Sequence, residues 1–201
     1  MSRSIVVVDD DPIIRMDIRE MLEEEGYRVT GEAKNGQEAI ELVASLKPDL
    51  VIMDVKMPVM NGIKASQIIR KLQDQNTSIL LLTAYSQREL VQDAREAGVS
   101  AYLVKPVSEE DLIPAVEIAL SQKEKMESLK KDLEELKQSI EDRKVIEKAK
   151  GALMKARSLD EDQAYRRMRA ASMAERIPLA KLAERMLADG EARWPDKLTK
   201  G

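Results

Sequence analysis

The hydrophobic positions of the first 120 residues alternate between short apolar runs and longer segments with helical spacing. The apolar runs predict five strands, at residues 5–8, 28–33, 50–53, 79–83 and 101–104. The amphipathic segments between them predict four helices, at residues 12–25, 37–46, 63–73 and 88–97. Because strands joined by such helices form right-handed crossovers, we expect an α/β fold with a doubly wound, five-stranded parallel sheet.

A long helical pattern follows these strands. Ser108 begins it, and Asp111 three residues later gives the start the character of a capping box. We expect this helix to meet no breaker before Gly151. Part of it repeats with spacings of three and four, at Met126, Leu129, Leu133, Leu136 and Ile140. Two interpretations of this stripe stay open, a dimeric coiled coil and an amphipathic helix that packs within the chain.

The last part of the chain predicts a small all-α domain of three helices. One runs through 144–155, the next is capped by Ser158 or Asp160 and continues to Ala174, and the third runs from near Pro178 to before Gly190. Together these patterns predict an α/β domain, a helical connector, a three-helix domain and a tail, with boundaries at 1–121, 122–142, 143–195 and 196–201.

The charge is divided unevenly between these parts. The whole chain has 33 Lys and Arg against 37 Asp and Glu, a net charge of −4. Residues 143–201 contain 15 of those bases and 9 of those acids, so their balance is +6 and that of residues 1–142 is −10. This split indicates an acidic regulatory part and a part that meets an anionic partner. A chance imbalance of solvated helix faces is the alternative.

Two absences restrict the chemistry. The chain has no cysteine and no histidine, which excludes disulfides, thiolate or histidine metal sites and any nucleophile paired with histidine. No segment approaches the roughly 18 apolar residues of a membrane span, and the start does not resemble a signal peptide. We therefore expect a cytoplasmic protein with no membrane partner.

Polar side chains follow the central strands of the predicted sheet. Asp9 and Asp10 follow the first strand, Asp54 ends the third, and Thr83 and Lys105 follow the fourth and fifth. In a parallel sheet these ends meet at one crevice. Carboxylates without histidine suit Mg²⁺, and a carboxylate beside this ion can attack phosphorus. The ammonium and hydroxyl groups would contact the phosphoryl oxygens.

The motifs that contain these residues closely resemble the receiver domain of two-component systems, over about residues 3–122. They are Val7-Val8-Asp9-Asp10-Asp11, Met53-Asp54-Val55-Lys56-Met57-Pro58 with Gly62, Leu82-Thr83-Ala84 and Tyr102-Leu103-Val104-Lys105-Pro106.

The receiver resemblance implies a role for each residue of the crevice. Asp54 would be the phospho-acceptor for a cognate sensor histidine kinase, and Lys105, before a cis Pro106, would contact the phosphoryl group. Thr83, which also contacts that group, and Tyr102 would form the switch pair. The Mg²⁺ ligands would be Asp9, Asp10, Asp54 and the backbone carbonyl of Lys56.

The basic part resembles the ANTAR output domain, an RNA-binding module of transcription antitermination, over about residues 140–192. The residues that carry this resemblance are Ala149-Lys150-Gly151, Leu153-Met154, Glu161, Ala164-Tyr165, Arg169 and Ala171-Ser172-Met173. The family often has Gly-Leu or Gly-Val where this chain has Ser158-Leu159, which leaves the conformation of that turn open. The resemblance implies binding to paired stem-loops of a leader transcript.

Several side chains are candidates for that contact. Tyr165 and Arg169 are four residues apart on one helical face, where they can stack on and pair with a nucleotide; alternatively, Tyr165 fills a gap in the core. Gly151 costs its helix about 1 kcal/mol relative to alanine, so we interpret it as a point of close approach by another backbone or a ligand. The candidate RNA contacts are Arg143, Lys144, Lys148, Lys150, Tyr165 and Arg169.

These interpretations combine into one function. We expect a response regulator, without substrate turnover, whose phosphorylation at Asp54 controls an RNA-binding antiterminator domain. We also expect a homodimer, with phosphorylation-dependent association as one option. A DNA-binding regulator with a helix-turn-helix is an alternative, although the turn before Pro178 leads into an apolar-rich helix. An output domain that docks a protein is the other alternative.

Overall fold

The computed structural model describes residues 3–72, 77–84 and 97–189 of the 201-residue chain. The chain divides into two compact units, Met1–Leu129 and Lys130–Gly201. The division falls within the predicted connector at 122–142. The first unit contains the strands, and the described part of the second unit is helical.

The first unit is built on a five-stranded parallel sheet with the order β2-β1-β3-β4-β5. Its strands are β1 (Ser4–Val8), β2 (Arg28–Ala33), β3 (Leu50–Asp54), β4 (Ser78–Thr83) and β5 (Ala101–Val104). The predicted fold class is confirmed, and every predicted strand lies within one residue of its observed bounds. The chain order reverses between β1 and β3, so their carboxyl ends flank the crevice where doubly wound sheets bind ligands.

Four helices have residues in the described part of this unit. They are α1 (Pro12–Glu24), α2 (Gly36–Leu46), α3 (Gly62–Lys71) and the first part of α4 (Glu109–Arg157). The first three agree with the predicted helices to within two residues at each end. The helix predicted at 88–97 falls almost wholly outside the described residues.

The helices cover both faces of the sheet, which explains why the central strands are apolar throughout. In β1, Val6 and Val8 pack in the cluster under α2 and α3, while Ile5 and Val7 pack in the cluster under α1 and the start of α4. All four side chains are fully buried. Burial of each such side chain contributes roughly 1.5–3 kcal/mol.

Helix α4 is one continuous element of 49 residues. The predicted connector and the first predicted output helix are therefore parts of a single helix, and Gly151 does not end it. Pro114 lies within the second turn but does not end the helix, so the expectation that nothing breaks it before Gly151 is confirmed. That turn tolerates proline because the carbonyl left without a helical donor belongs to the exposed Glu110. The predicted cap is confirmed, since the Asp111 amide donates to Ser108 Oγ at 3.3 Å.

The second unit packs the end of α4 against α5 (Glu161–Glu175) and α6 (Leu179–Asp189). Ala164 and Met168 are fully buried in its core. The side chain of Asp160, and not that of Ser158, caps α5 and forms a capping box with Gln163. Ser158 adopts a φ of +51°, a left-handed conformation that favours the glycine found there in the family.

A polar contact connects α4 to the amino-terminal ends of β1 and β3, at the end of the sheet opposite to the crevice. The Asp49 carboxylate accepts hydrogen bonds from the Ser4 amide and hydroxyl, both at 3.0 Å, and pairs with Lys123 Nζ at 2.5 Å. Burial alone would raise the pKa of Asp49, but the bonds from Lys123 and Ser4 outweigh it and lower this pKa to about 2. The carboxylate therefore stabilises the fold in its charged form.

The Asp49→Asn variant tests this contact. Because the pKa of Asp49 is lower in the folded chain, its contribution is complete above the unfolded value near 4 and is lost as the pH falls through about 2. We expect a loss of about 1 kcal/mol at pH 7, since solvent screens part of the ion pair. Urea unfolding should show that the difference in the free energy of unfolding between the wild type and Asp49→Asn becomes smaller towards pH 3. Asp17→Asn, at an exposed position, serves as the control. A difference in the free energy of unfolding between the wild type and Asp49→Asn that does not change with pH would contradict the prediction.

Candidate functional site

The carboxyl ends of β1, β3 and β5 bring three predicted site residues into contact. Lys105 Nζ lies 2.5 Å from Asp9 Oδ2 and 3.3 Å from Asp54 Oδ1. The side chains of Asp9 and Asp54 are 1% and 8% exposed, and that of Lys105 is 16% exposed. The sequence places these residues 45 or more positions apart, so the parallel sheet alone makes them neighbours.

Asp10 completes an acidic cluster at the rim of this group. One carboxylate oxygen from each of Asp9, Asp10 and Asp54 lies within 4.8 Å of the others. Ligands on opposite sides of an Mg²⁺ ion are about 4 Å apart, so small side-chain movements are enough to bind it. Asp10 is exposed, which leaves one side for water ligands. Lys56 lies two residues after Asp54, and the part of its carbonyl stays a prediction.

The electrostatics of the cluster follow from crowding like charges in a buried place. Burial raises the pKa of Asp54, and the charge of Asp9 raises it further, against the opposing effect of Lys105. Burial alone would lower the pKa of Lys105, but the hydrogen bond to Asp9 and the charge of Asp54 raise it. The pocket therefore holds an ammonium firmly and has negative charge left for a further cation.

The loop after Asp54 is held by a glycine. Gly62 begins α3, and its amide donates to the Val55 carbonyl at 3.0 Å. A Cβ on Gly62 would lie 2.2 Å from the Asp54 backbone carbonyl oxygen, so no other residue fits there without a shift of the backbone. The sequence showed a glycine at a helix edge but gave no sign of this contact.

The predicted switch pair lies on neighbouring strands. Thr83 ends β4 and is 6% exposed, while Tyr102 lies on β5 and is 45% exposed. The Lys105 amide donates to the Thr83 carbonyl at 2.8 Å, which places the lysine beside the threonine. The Lys105–Pro106 peptide bond is cis, as the receiver resemblance implied. Movement of the pair stays a prediction.

Two supporting residues were missed or left without a role by sequence reasoning. Arg15 Nη1 donates to the Asp9 backbone carbonyl at 2.7 Å, and no motif indicated this contact. Asp11, the third acid of its run, caps α1 by accepting a hydrogen bond from the Ile13 amide at 2.8 Å. Its amide also donates to Asp9 Oδ1 at 3.0 Å, so the helix start helps to orient the buried aspartate.

In the second unit, five of the six candidate RNA contacts are on the surface. Arg143, Lys144 and Lys148 are exposed on α4, and Tyr165 and Arg169 are exposed on α5. The Tyr165 side chain is 42% exposed, so it does not fill a core gap. It lines a groove together with Arg143, Ile146 and Leu179.

Lys150 differs from the other five. It is only 7% exposed, and its ammonium lies 2.7 Å from carboxylate oxygens of both Glu147 and Glu161. Hydrogen bonds to these two acids raise the pKa of Lys150. Its ammonium thus joins α4 to the start of α5, and its part in RNA binding stays a prediction.

The comparisons with known proteins agree with both halves of this arrangement. The family model described as "Response regulator receiver domain" matches residues 5–117, and the model described as "ANTAR domain" matches residues 134–187. The chain therefore belongs to the response regulators, with an RNA-binding ANTAR domain of the antitermination class as its output. Both matched domains are regulatory, and neither match is to a catalytic family. In the described part, no helix is long and apolar enough to cross a membrane.

Individual relatives support the same division. Transcriptional regulatory protein PdtaR of Mycobacterium tuberculosis is 46% identical over 186 residues, which cover 92% of this chain and 89% of that protein. Chemotaxis protein CheY of Thermotoga maritima is 40% identical over 116 residues, covering 58% of this chain and 96% of CheY. A CheY-like receiver domain structure from Methanospirillum hungatei has a TM-score of 0.59 at 29% identity and covers 63% of this chain and 99% of its own.

Proposed function

We propose that a sensor histidine kinase phosphorylates Asp54 and that this event controls binding of the ANTAR domain to stem-loops of a leader transcript, which prevents transcription termination. The observation that carries the proposal is the contact of Lys105 with both Asp9 and Asp54 beside the exposed Asp10. Phosphoryl transfer needs these groups: a buried carboxylate, here Asp54, an ammonium, here Lys105, and an exposed acid beside them, here Asp10.

The chemistry follows from these positions. An Asp54 carboxylate oxygen attacks the phosphorus of the kinase phosphohistidine, the new O–P bond forms as the P–N bond breaks, and the histidine nitrogen keeps the bonding pair. When bound, Mg²⁺ neutralises the negative charge of the acids and of the phosphoryl group. Lys105 then turns from its acidic partners to a phosphoryl oxygen. We propose no turnover beyond gain and loss of this group.

The switch acts through Thr83 and Tyr102. After phosphorylation the Thr83 hydroxyl donates to a phosphoryl oxygen, and the space that it leaves admits the Tyr102 ring. The Tyr102 ring is half-exposed in this structure, and we assign this outward position to the state before the switch. A local change of charge would thereby alter the surface of β5 and its neighbours.

The RNA surface is proposed to comprise Arg143, Lys144, Lys148, Tyr165 and Arg169. Their exposure supports contact with an extended ligand. Stacking of an unpaired base on the tyrosine with phosphates on the basic groups is the usual physics of single-stranded loop recognition. The DNA-binding alternative is weakened because α6 uses Leu182, Ala183 and Met186 to fill the core.

A second copy of the chain is the proposed partner of the apolar stripe on α4. Met126, Leu129, Leu133, Leu136 and Ile140 are each between 47% and 63% exposed. In a parallel dimer Asp132 would pair with Lys137 of the other helix, while Lys125 would repel Lys130. The apolar stripe favours association, and the repulsion between Lys125 and Lys130 opposes it. We therefore predict a weak dimer whose formation phosphorylation can control.

The phosphorylation proposal predicts that Asp54→Asn abolishes acid-labile labelling by radioactive acetyl phosphate. Labelling of the wild-type chain should require Mg²⁺, because removal of the ion leaves the acidic cluster repelling the phosphodonor. Asp49→Asn, at the opposite end of the strands from the crevice, should be labelled to the same extent as the wild type. Undiminished labelling of Asp54→Asn would refute the assignment of the acceptor.

The RNA proposal predicts separate effects for stacking and for charge. With an RNA of two tandem stem-loops, Tyr165→Ala and Arg169→Ala should weaken binding by about tenfold each. Lys148→Ala should reduce the slope of log affinity against log salt concentration by about one, as expected for the loss of one phosphate contact. Exposed Lys181→Ala on α6 is the control for the loss of a cation. Tighter binding to duplex DNA of the same sequence would favour the helix-turn-helix alternative instead.

The dimer proposal predicts that Leu133→Glu shifts the full-length chain towards monomer in sedimentation equilibrium. The variant places a charge in the apolar seam, where the partner helix would bury it. Gln138→Glu adds the same charge on the outer face of α4 and should leave association unchanged. Measurements with and without beryllofluoride and Mg²⁺ would show whether phosphorylation controls association. A wild-type chain that is monomeric in both states would contradict the proposal.

A further inference from the structure

Gly151 has no explanation within the described part of the chain. It lies inside α4, at a helical φ that any residue adopts, and a Cβ built on it meets no atom within 4 Å. By contrast, a Cβ on Gly36 would lie 2.8 Å from the Met60 carbonyl oxygen, and one on Gly62 would lie 2.2 Å from that of Asp54. Packing explains those two glycines, whereas Gly151 lowers the stability of its helix and leaves bare backbone at the surface.

The residues around Gly151 give this bare surface a positive charge. Lys148 and Lys155, three positions before and four positions after it, lie on the same helical face and are exposed. Neither ammonium forms an ion pair with a described residue. The acid nearest on this face is Glu147, whose carboxylate is held by Lys150 at 2.7 Å. The glycine is thus flanked by two unpaired cations, while the neighbouring acid is neutralised.

We propose that Gly151 lets the sugar-phosphate backbone of the bound RNA lie directly against α4, with Lys148 and Lys155 contacting phosphates on either side. This inference rests on the proposed RNA-binding function and deepens it, because it names the face and the mode of approach. A side chain at residue 151 would hold the phosphates away from the helix and lengthen both ionic contacts. It also adds Lys155, which sequence reasoning did not select.

The Lys150 contact with Glu147 and Glu161 serves the same surface as a positioning device. It draws the Glu147 carboxylate away from the approaching phosphates and fixes the start of α5 beside the site. RNA binding to this face therefore explains two features of α4. Residue 151 is a glycine that destabilises the helix, and residue 150 is a lysine whose ammonium is already paired with two acids.

The test separates stability from binding by enlarging residue 151 in the full-length chain. The probe is an RNA selected from a random stem-loop pool on the wild-type protein. We expect Gly151→Ala to raise the thermal midpoint of the output unit, because alanine favours helix and meets open space. The same variant should bind the RNA several-fold more weakly, and Gly151→Leu should lose about tenfold or more. Lys155→Ala should reduce the salt dependence as Lys148→Ala does.

The matched control is Ala156→Leu, which enlarges an exposed residue about 140° around the same helix from Gly151. It should leave RNA affinity unchanged. Binding by both Gly151 variants within about twofold of the wild type would overturn the inference. A lower thermal midpoint in Gly151→Ala would also overturn it, since an intramolecular constraint would then explain the glycine. If the selection yields no RNA, the proposed function itself fails, an outcome distinct from intact binding by the variants.

Discussion

Three carboxylates crowded at the end of a buried parallel sheet are tolerated only with a counter-charge, and Lys105 supplies it to two of them. One ammonium cannot balance three acids, so the crevice keeps an excess of negative charge and attracts a divalent cation. Once that cation is present, the balance favours an incoming anion, and a phosphoryl group is the anion that Asp54 can bind covalently. The metal binding, the phosphorylation and the rearrangement of Lys105 and Thr83 that we propose would thus all arise from one imbalance of charge.

The surrounding fold serves to keep these charges close together. Asp9 is held from three directions, by Lys105 on its side chain, by the Asp11 amide and by Arg15 on its backbone carbonyl. Gly62 brings the start of α3 against the Asp54 carbonyl, where any side chain would collide. These contacts fix the positions of Asp9 and Asp54, and the proposed switch pair, Thr83 and Tyr102, lies on the neighbouring strands β4 and β5.

The output unit uses a similar contact for a different purpose. Lys150, like Lys105, is a nearly buried ammonium between two carboxylates, but its partners Glu147 and Glu161 are exposed on their other sides. No third acid is crowded against this pair among the described residues, so the contact stabilises the junction of α4 and α5. Lys148 and Lys155, which flank Gly151, form no ion pair with a described residue, and we propose that they contact the RNA backbone.

The sequence by itself determined the strands, most helices and the chemical identity of the crevice. Apolar runs, amphipathic spacing and the acids at strand ends are local patterns, and they depend only on which residues must be buried. The resemblances then predicted both domain families, which the family matches confirm. Only the tertiary structure decided that Arg15 and Asp11 support Asp9, that Lys150 is enclosed by two acids and that no described residue packs against Gly151. These facts depend on which side chains from distant segments meet, and a periodic pattern records the face of a residue but not its partner.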